Sequence, residues 1–132
     1  MGPTISPRPA ISDATVLYRA LRTRKQAEEL REAFMLRESE RNSGLSVNYG
    51  CTGDQCRMKL NKSYGVLGLL VGCVERIGGL RIVVDESAAE YLPHACITGV
   101  PHKDDNAAEA ERIASKLVEC IAEKTIAFWK RE

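Results

Sequence analysis

Three side chains whose types can carry out chemistry stand in short apolar stretches of the sequence, namely Arg19, Ser46 and His94. A guanidinium that faces a cleft binds phosphate or carboxylate through paired hydrogen bonds. A histidine where a turn enters a strand can aim its imidazole into a cleft and act there as a general acid or base. We therefore predict Arg19, Ser46 and His94 as candidate catalytic residues.

Each of these residues also has a purely structural interpretation. Arg19 can face solvent from a strand, and His94 can hydrogen-bond a loop without taking part in a reaction. Ser46, in the run Gly-Leu-Ser-Val-Asn, lacks the second glycine of the nucleophile elbow that one class of hydrolases uses. The observation that separates the two interpretations is whether the three side chains meet at one cleft.

Cys51 and Cys56 are separated by four residues and form the first candidate metal pair. A tetrahedral zinc site needs two ligand pairs, and here the second pair would have to come from His94, Cys96 or His102. The two-residue spacing of a dithiol redox site is also absent. The sequence therefore favours ordinary thiols and predicts no metal site.

The glycines at positions 65, 68 and 72 do not form a nucleotide-binding motif. They lack the lysine of a phosphate-binding loop, and their spacing is not that of the dinucleotide fingerprint. A close contact made by a helix explains them more simply. The sequence therefore leaves the cofactor unknown.

Composition indicates one ordinary globular domain. The 132 residues are 44% hydrophobic and 28% charged, and 19 basic residues face 18 acidic ones. A net charge of +1 gives no general attraction to nucleic acid. The arginines between residues 22 and 41 alternate with glutamates, which indicates a mixed solvated face. We expect a flexible leader over residues 1–13, a single α/β domain over residues 14–132, and no nucleic-acid partner.

No segment of the sequence predicts a membrane contact or export. The apolar run Val66–Val74 is about half the roughly 20 residues that a spanning helix needs. The first ten residues contain three prolines and no apolar block, unlike a secretory signal. Five cysteines, an odd number, then favour reduced thiols. These features together predict a cytoplasmic protein.

Local patterns predict the first half of the domain. Residues 14–21 read as a strand, and residues 24–40, rich in Glu, Arg, Ala and Leu, favour a helix. A second strand is expected over residues 45–49. The mixed stretch 50–63 predicts a loop or one short helix.

The second half is predicted to end in a long amphipathic helix. Residues 66–77 favour a buried helix by their length, and residues 80–85 and 95–100 favour neighbouring strands. Asn106 begins the last helix, whose apolar stripe extends to Phe128 and Trp129. The expected fold is α+β or α/β, with about four short strands and this helix packed on the sheet.

Several short motifs resemble a group of small uncharacterised bacterial proteins. They are Leu17-Tyr18-Arg19, Ala33-Phe34 with Leu36-Arg37, Gly44-Leu45-Ser46-Val47, Gly79-Leu80 with Val83 and Asp85, and His94-Ala95 with Ile97 and Gly99. The resemblance covers roughly residues 14–118. It implies a bacterial, cytoplasmic origin and brings no activity with it.

The chain also resembles ADP-ribosyltransferase-like folds more weakly. In those folds an arginine ending an early strand and a serine on the next help to hold NAD, and Arg19 and Ser46 match these places. The family also needs a glutamate on a later strand, whereas Glu109 and Glu111 fall on the predicted C-terminal helix. The resemblance therefore implies residues that help to hold NAD and does not extend to the catalytic glutamate.

Two functions from different classes follow from these patterns. The first is a toxin-like or defence-associated effector that acts on a nucleotide-derived substrate through a cleft of Arg19, Ser46 and His94. The alternative is a non-catalytic interaction module, or an accessory subunit of a larger complex. That alternative predicts an exposed apolar patch at Val66–Val74 or at Phe128 and Trp129. A protein partner and homo-oligomerisation are left open.

Overall fold

Six strands form one antiparallel sheet in a computed structural model of the protein, which describes residues 11–59, 63–85 and 92–126. Across the sheet the strand order is β4-β5-β2-β1-β3-β6, and every neighbouring pair is antiparallel. Along the chain the strands are β1 (Val16–Ala20), β2 (Leu45–Asn48), β3 (Gly65–Leu70), β4 (Arg81–Val84), β5 (His94–Thr98) and β6 (Ile121–Ile126).

The helices in the described ranges are short. They are α1 (Arg24–Glu28), α2 (Gly53–Lys59), α3 (Val71–Glu75) and α4 (Ala107–Val118), with 3-10 turns at Leu30–Phe34 and Glu38–Glu40. None of them combines the length and the apolar character that a bilayer crossing requires. The predicted fold class is therefore wrong. The sheet has more strands than the four expected, an α/β arrangement is excluded by the antiparallel pairing, and the longest described helix has 12 residues.

The helix predicted over residues 24–40 is broken, because hydrogen bonds to side chains take main-chain groups that a helix would use. In a helix, the carbonyl of Ala33 would accept from the N–H of Arg37. Instead the Ala33 carbonyl accepts from Nε of Arg19, and the Arg37 N–H donates to Oε1 of Glu40 at 2.9 Å. The chain therefore makes one helical turn and two 3-10 turns in place of a continuous helix.

The buried helix predicted over residues 66–77 is also wrong, since β3 occupies its first half and α3 begins at Val71. β3 lies between β1 and β6, so both of its edges are paired, and its apolar residues other than Leu70 are buried. A strand in such a position reads as a continuous apolar run, which periodicity does not distinguish from a buried helix.

The last helix begins as predicted but ends early. The side chain of Asn106 accepts a hydrogen bond from the N–H of Glu109, which caps α4. A turn at Glu119 and Cys120 then leads into β6, whose β-branched residues pair with β3. Phe128 and Trp129, expected to extend the helix, lie outside the described residues. Residues 1–10 of the predicted leader also lie outside them.

Alternation along the strands divides the sheet into two faces. One face packs with α4 and the first 3-10 turn in a single core cluster, which includes Leu17, Val47, Leu67, Ile97, Ile113 and Leu117. The other face carries the polar residues Tyr18, Ser46, Asn48 and His94, and α2 covers part of it through Cys56. The candidate catalytic serine and histidine therefore project from the face opposite the main core.

Candidate active site

Ser46, His94 and Asp85 form a continuous hydrogen-bonded chain across three neighbouring strands. Oγ of Ser46 lies 2.5 Å from Nε2 of His94, and Nδ1 of His94 lies 3.1 Å from Oδ2 of Asp85. Strand register explains the contacts, because Asn48 is paired with His94 and Ser46 is therefore its diagonal neighbour on the same face. Asp85 follows β4 directly, and its N–H donates to the His94 carbonyl at 2.9 Å.

The chemistry of the three groups fixes the direction of these hydrogen bonds for a neutral imidazole. A carboxylate only accepts hydrogen bonds, so Nδ1 of His94 must donate to Asp85. Nε2 then carries a lone pair, and the hydroxyl of Ser46 donates to it. This is the arrangement in which an imidazole can take a proton from a serine hydroxyl.

The imidazole of His94 is buried, whereas Ser46 and Asp85 are half-buried. Burial among packed strands holds the ring in one orientation. The partial exposure of Ser46 leaves it in the wall of a solvent-open cleft. A small molecule can therefore reach the serine while the histidine stays out of bulk water.

Arg19 belongs to the same network but has a different role from Ser46 and His94. Its Nη1 and Nη2 donate to the carboxylate of Glu40 at 2.8 and 3.1 Å, and its Nε donates to the Ala33 carbonyl. Nη1 also donates to the main-chain carbonyl of Ser46 at 2.8 Å. The donors of Arg19 are thus used in hydrogen bonds within the protein, one of which holds the strand that carries Ser46.

The carboxylate of Glu40 is stabilised as an anion although it is buried. Burial alone would raise its pKa, but the hydrogen bonds and charge of Arg19 outweigh this effect. The N–H groups of Arg37 and Ser46 also donate to it, at 2.9 Å each. Together they lower the pKa of Glu40 to about 2. The Arg19–Glu40 pair is therefore ionised at neutral pH.

The cleft beside Ser46 is small and lined by cations. Its cavity volume is about 30 Å³, which is room for about two water molecules. Burial of part of the side chain and the nearby charges of Arg37 and Arg19 lower the pKa of Arg22. Nε of Arg37 is buried without a protein partner. The lining residues are Tyr18, Arg19, Ala20, Arg22, Arg37, Ser46, Asn48 and Cys56.

Tyr18 closes one side of this cleft as a neutral phenol. Its hydroxyl donates to Oε1 of Glu123 at 2.8 Å. Burial, that hydrogen bond and the charge of Glu123 raise the pKa of Tyr18 to about 12. The phenol therefore adds no negative charge to the cleft at physiological pH.

The structure brings two of the predicted site residues into side-chain contact, Ser46 and His94, and joins Arg19 to them through the Ser46 carbonyl. Sequence reasoning missed Asp85 and Glu40. The sequence does contain an indication for Asp85, because this residue ends an apolar strand that is predicted to neighbour the strand of His94. The sequence contains no such indication for Glu40, because this residue lies among glutamates that are expected to be exposed on a predicted helix.

In the part of the chain that the structure describes, Cys51 and Cys56 do not lie in a group of three side chains that could hold a metal ion. Within the described ranges, the group of three residues able to hold a metal ion is Glu38, His102 and Asp104, and it includes neither Cys51 nor Cys56. Nδ1 of His102 already accepts the N–H of Asp104 at 3.0 Å.

Two other cysteines correct the expectation that all five thiols are reduced. Cys73, on α3, and Cys120, just after α4, form a disulfide with their Cα atoms 5.4 Å apart. The pair encloses a long loop and ties α3 to the start of β6. The three cysteines outside this disulfide are Cys51, Cys56 and Cys96.

No protein-family model, curated protein or solved structure matches this chain. The resemblances to a bacterial protein group and to ADP-ribosyltransferase-like folds stay predictions. Function must therefore be inferred from the geometry around Ser46, His94 and Asp85.

Proposed function

We propose that the protein is a hydrolase in which Ser46 is the nucleophile, His94 the general base and Asp85 the group that orients the imidazole. The observation that carries this proposal is the Ser46–His94–Asp85 chain, with spacings of 2.5 and 3.1 Å. A serine, a base within hydrogen-bond reach and a third group that holds the base form the usual signature of an activated hydroxyl.

In the proposed reaction, Oγ of Ser46 attacks the carbonyl carbon of an ester while its proton moves to Nε2 of His94. The imidazolium, stabilised at Nδ1 by Asp85, then protonates the leaving alcohol, and the acyl group stays on Oγ. Nε2 next takes a proton from water, whose oxygen attacks the acyl-serine. This step releases the carboxylic acid and returns the proton to Ser46.

The negative charge that develops on the carbonyl oxygen needs hydrogen-bond donors in fixed positions. The N–H of Ser46 cannot serve, because it donates to Oε2 of Glu40 at 2.9 Å. Nε of Arg37 lines the same cleft and is buried without a protein partner. We infer that the positive charge of Arg37 stabilises this developing charge from across the cleft, without a hydrogen bond from that N–H to the carbonyl oxygen.

A fluorophosphonate probe tests the nucleophile without knowledge of the natural substrate. Oγ of Ser46 would form a bond to phosphorus and expel fluoride, with its proton passing to His94. We expect mass spectrometry to find the label on Ser46 in the wild-type protein and no label in Ser46→Ala. Ser115→Ala, on α4 away from the cleft, is the matched control and should be labelled at the wild-type rate. An unlabelled wild-type protein, or labelling that persists in Ser46→Ala, would refute the proposal.

The interaction module predicted as an alternative gains no support from Val66–Val74, and its other expected patch, Phe128 and Trp129, lies outside the described residues. Val66, Leu67, Leu69, Val71 and Val74 are all buried. The large apolar side chains exposed in the described ranges are Met58, Leu70 and Val83, which come from three different elements. Scattered apolar side chains of this kind are normal on protein surfaces.

A further inference from the structure

We propose that the arginine-lined cleft beside Ser46 is an oxyanion subsite, in which Arg37 and Arg22 bind a phosphate or carboxylate group of the substrate. The inference rests on the proposed function for its link to catalysis. The substrate class that follows is an ester that carries an anionic group close to the bond that is cleaved.

The first observation is the charge of the lining. Three guanidiniums, those of Arg19, Arg22 and Arg37, line the cleft, and no carboxylate stands among the lining residues that the structure describes. Glu40 lies beside the cleft and is shared between Arg19 and Arg37, at 2.8 and 3.2 Å. One carboxylate therefore serves two of three cations, and the cleft retains positive charge. Bound oxyanions supply the missing counter-charge in clusters of this type.

The second observation is which donors remain for a ligand. All three nitrogens of Arg19 donate to protein acceptors, so Arg19 has little left to offer. Arg37 uses Nη2 for Glu40, while its Nε is buried and has no protein partner. A buried unpaired N–H carries a desolvation cost that a bound acceptor removes. Arg37 is therefore the principal ligand, and Arg22 is the second cation.

The third observation is the size of the cleft. A cavity of about 30 Å³ takes one small oxyanion and excludes a nucleobase or a sugar. The rest of a substrate must lie outside the cavity on the surface of the protein. The nucleotide-derived substrate predicted from the sequence satisfies this limit only through a phosphate that enters the cleft.

Equilibrium binding to Ser46→Ala separates this inference from the proposed function, because that variant cannot react. The probes are inorganic phosphate, acetate and a nucleoside monophosphate, each titrated at constant ionic strength and followed by calorimetry. We expect phosphate or acetate to bind, and the tighter of the two identifies the anion. A monophosphate that binds much more tightly than phosphate would assign the source to a nucleotide.

Substitutions in the same background locate the site. Arg37→Gln should weaken binding of the preferred anion at least tenfold, and Arg22→Gln should weaken it severalfold. Arg31→Gln, which removes an exposed arginine paired only loosely with Glu111 at 3.9 Å, is the matched control and should bind as the parent does. Circular dichroism checks that each variant is folded, and Arg37→Lys, which keeps the charge but loses Nε, replaces Arg37→Gln if that variant unfolds.

The two proposals can fail independently. Anion binding that is absent, or that survives both arginine substitutions, would overturn the subsite even if Ser46 is labelled by the phosphonate. Specific anion binding to a protein whose Ser46 is never labelled would support the subsite and overturn the hydrolase.

Discussion

The guanidinium of Arg19 and the carboxylate of Glu40 form a two-point ion pair, with Nη1–Oε2 and Nη2–Oε1 distances of 2.8 and 3.1 Å. Both side chains are almost fully buried, at 6% and 4% exposure. The same two residues bind the two sides of the Ser46 peptide, Arg19 at its carbonyl and Glu40 at its N–H. The ion pair therefore sets the position of the strand that carries the proposed nucleophile.

Glu40→Gln should destabilise the protein by about 3 kcal/mol, because it leaves the buried guanidinium of Arg19 without a counter-charge. Glu38→Gln is the matched control, since Glu38 is 74% exposed and pairs with Arg41 at the surface. An exposed pair of this kind contributes at most about 1 kcal/mol. Urea unfolding of both variants measures the difference. If both variants lose the same free energy of unfolding, the buried Arg19–Glu40 pair stabilises the protein no more than an exposed pair does.

Acid should destabilise the wild-type protein in a pH window that Glu40 sets. The pKa of Glu40 falls from its ordinary value of 4.5 to about 2 in the folded protein. Its contribution is therefore complete above pH 4.5 and is lost as the pH falls toward 2. The depression corresponds to about 3 kcal/mol. Urea midpoints measured across this window should fall less steeply in Glu40→Gln than in the wild type, and parallel curves would contradict the assignment.

Asp85→Asn should slow phosphonate labelling of Ser46 by at least about a hundredfold, because the amide no longer fixes the Nδ1–H tautomer of His94 or stabilises its charged form. Stability should change little, since the Asp85 side chain is 35% exposed. Asp104→Asn makes the same change beside the other histidine, His102, and should leave the labelling rate unaltered. A wild-type rate in Asp85→Asn would remove Asp85 from the mechanism.

Gly65→Ala should destabilise the sheet by several kcal/mol, whereas Gly78→Ala should be close to neutral. Gly65 has a φ of +145°, and a Cβ there would lie 2.2 Å from the Thr125 carbonyl oxygen of β6. A Cβ on Gly78 meets nothing within 4 Å, and its φ is not in the left-handed range. Thermal unfolding compares the two variants. A small effect at Gly65 would contradict the close approach of β3 and β6.

Reduction of the Cys73–Cys120 disulfide should lower stability, because the bond spans a sequence separation of 47 residues. Chain-entropy reasoning gives about 4 kcal/mol for a loop of this length. The wild-type protein should therefore unfold at lower urea concentration with dithiothreitol than without it. The double variant Cys73→Ser, Cys120→Ser should show no such dependence. A wild-type protein that is insensitive to reductant would show that the bond is absent in solution.

Local sequence patterns predict an element correctly where its tertiary contacts favour the same conformation as its own residues do. β1, β2 and β4 fall within predicted strands, β5 begins one residue before its predicted range, and Asn106 caps α4 as its spacing with Glu109 indicates. Pattern failed where side chains bind the main-chain groups that a helix would use. The Ala33 carbonyl accepts from Arg19, 14 residues earlier in the chain, and the Arg37 N–H donates to the nearby side chain of Glu40, so a helix-forming composition does not yield a helix.

The residues of the candidate site were likewise predictable from the sequence only in part. The residue types of Ser46 and His94 can carry out chemistry and their apolar neighbours indicate strands, so the sequence predicts both as site residues. Asp85 becomes their partner only through the pairing of β4 with β5, which brings it opposite His94. Arg19 was expected to face a ligand, and its burial against Glu40 depends on a glutamate that the sequence placed on a solvated face. Pairing and burial of this kind are tertiary facts that no short window of sequence contains.

The central strands β1 and β2 share one registered pair, Tyr18 with Asn48, whereas β1 has five such pairs with β3 and β2 has four with β5. The sheet is thus two three-stranded ribbons joined along a seam that Arg19 spans with its hydrogen bond to the Ser46 carbonyl. One ribbon carries Ser46 and His94, and the other leads directly into Arg22. The distance between the Ser46 hydroxyl and Arg22 therefore depends on how the two ribbons are joined along this seam, and few main-chain pairs fix that junction.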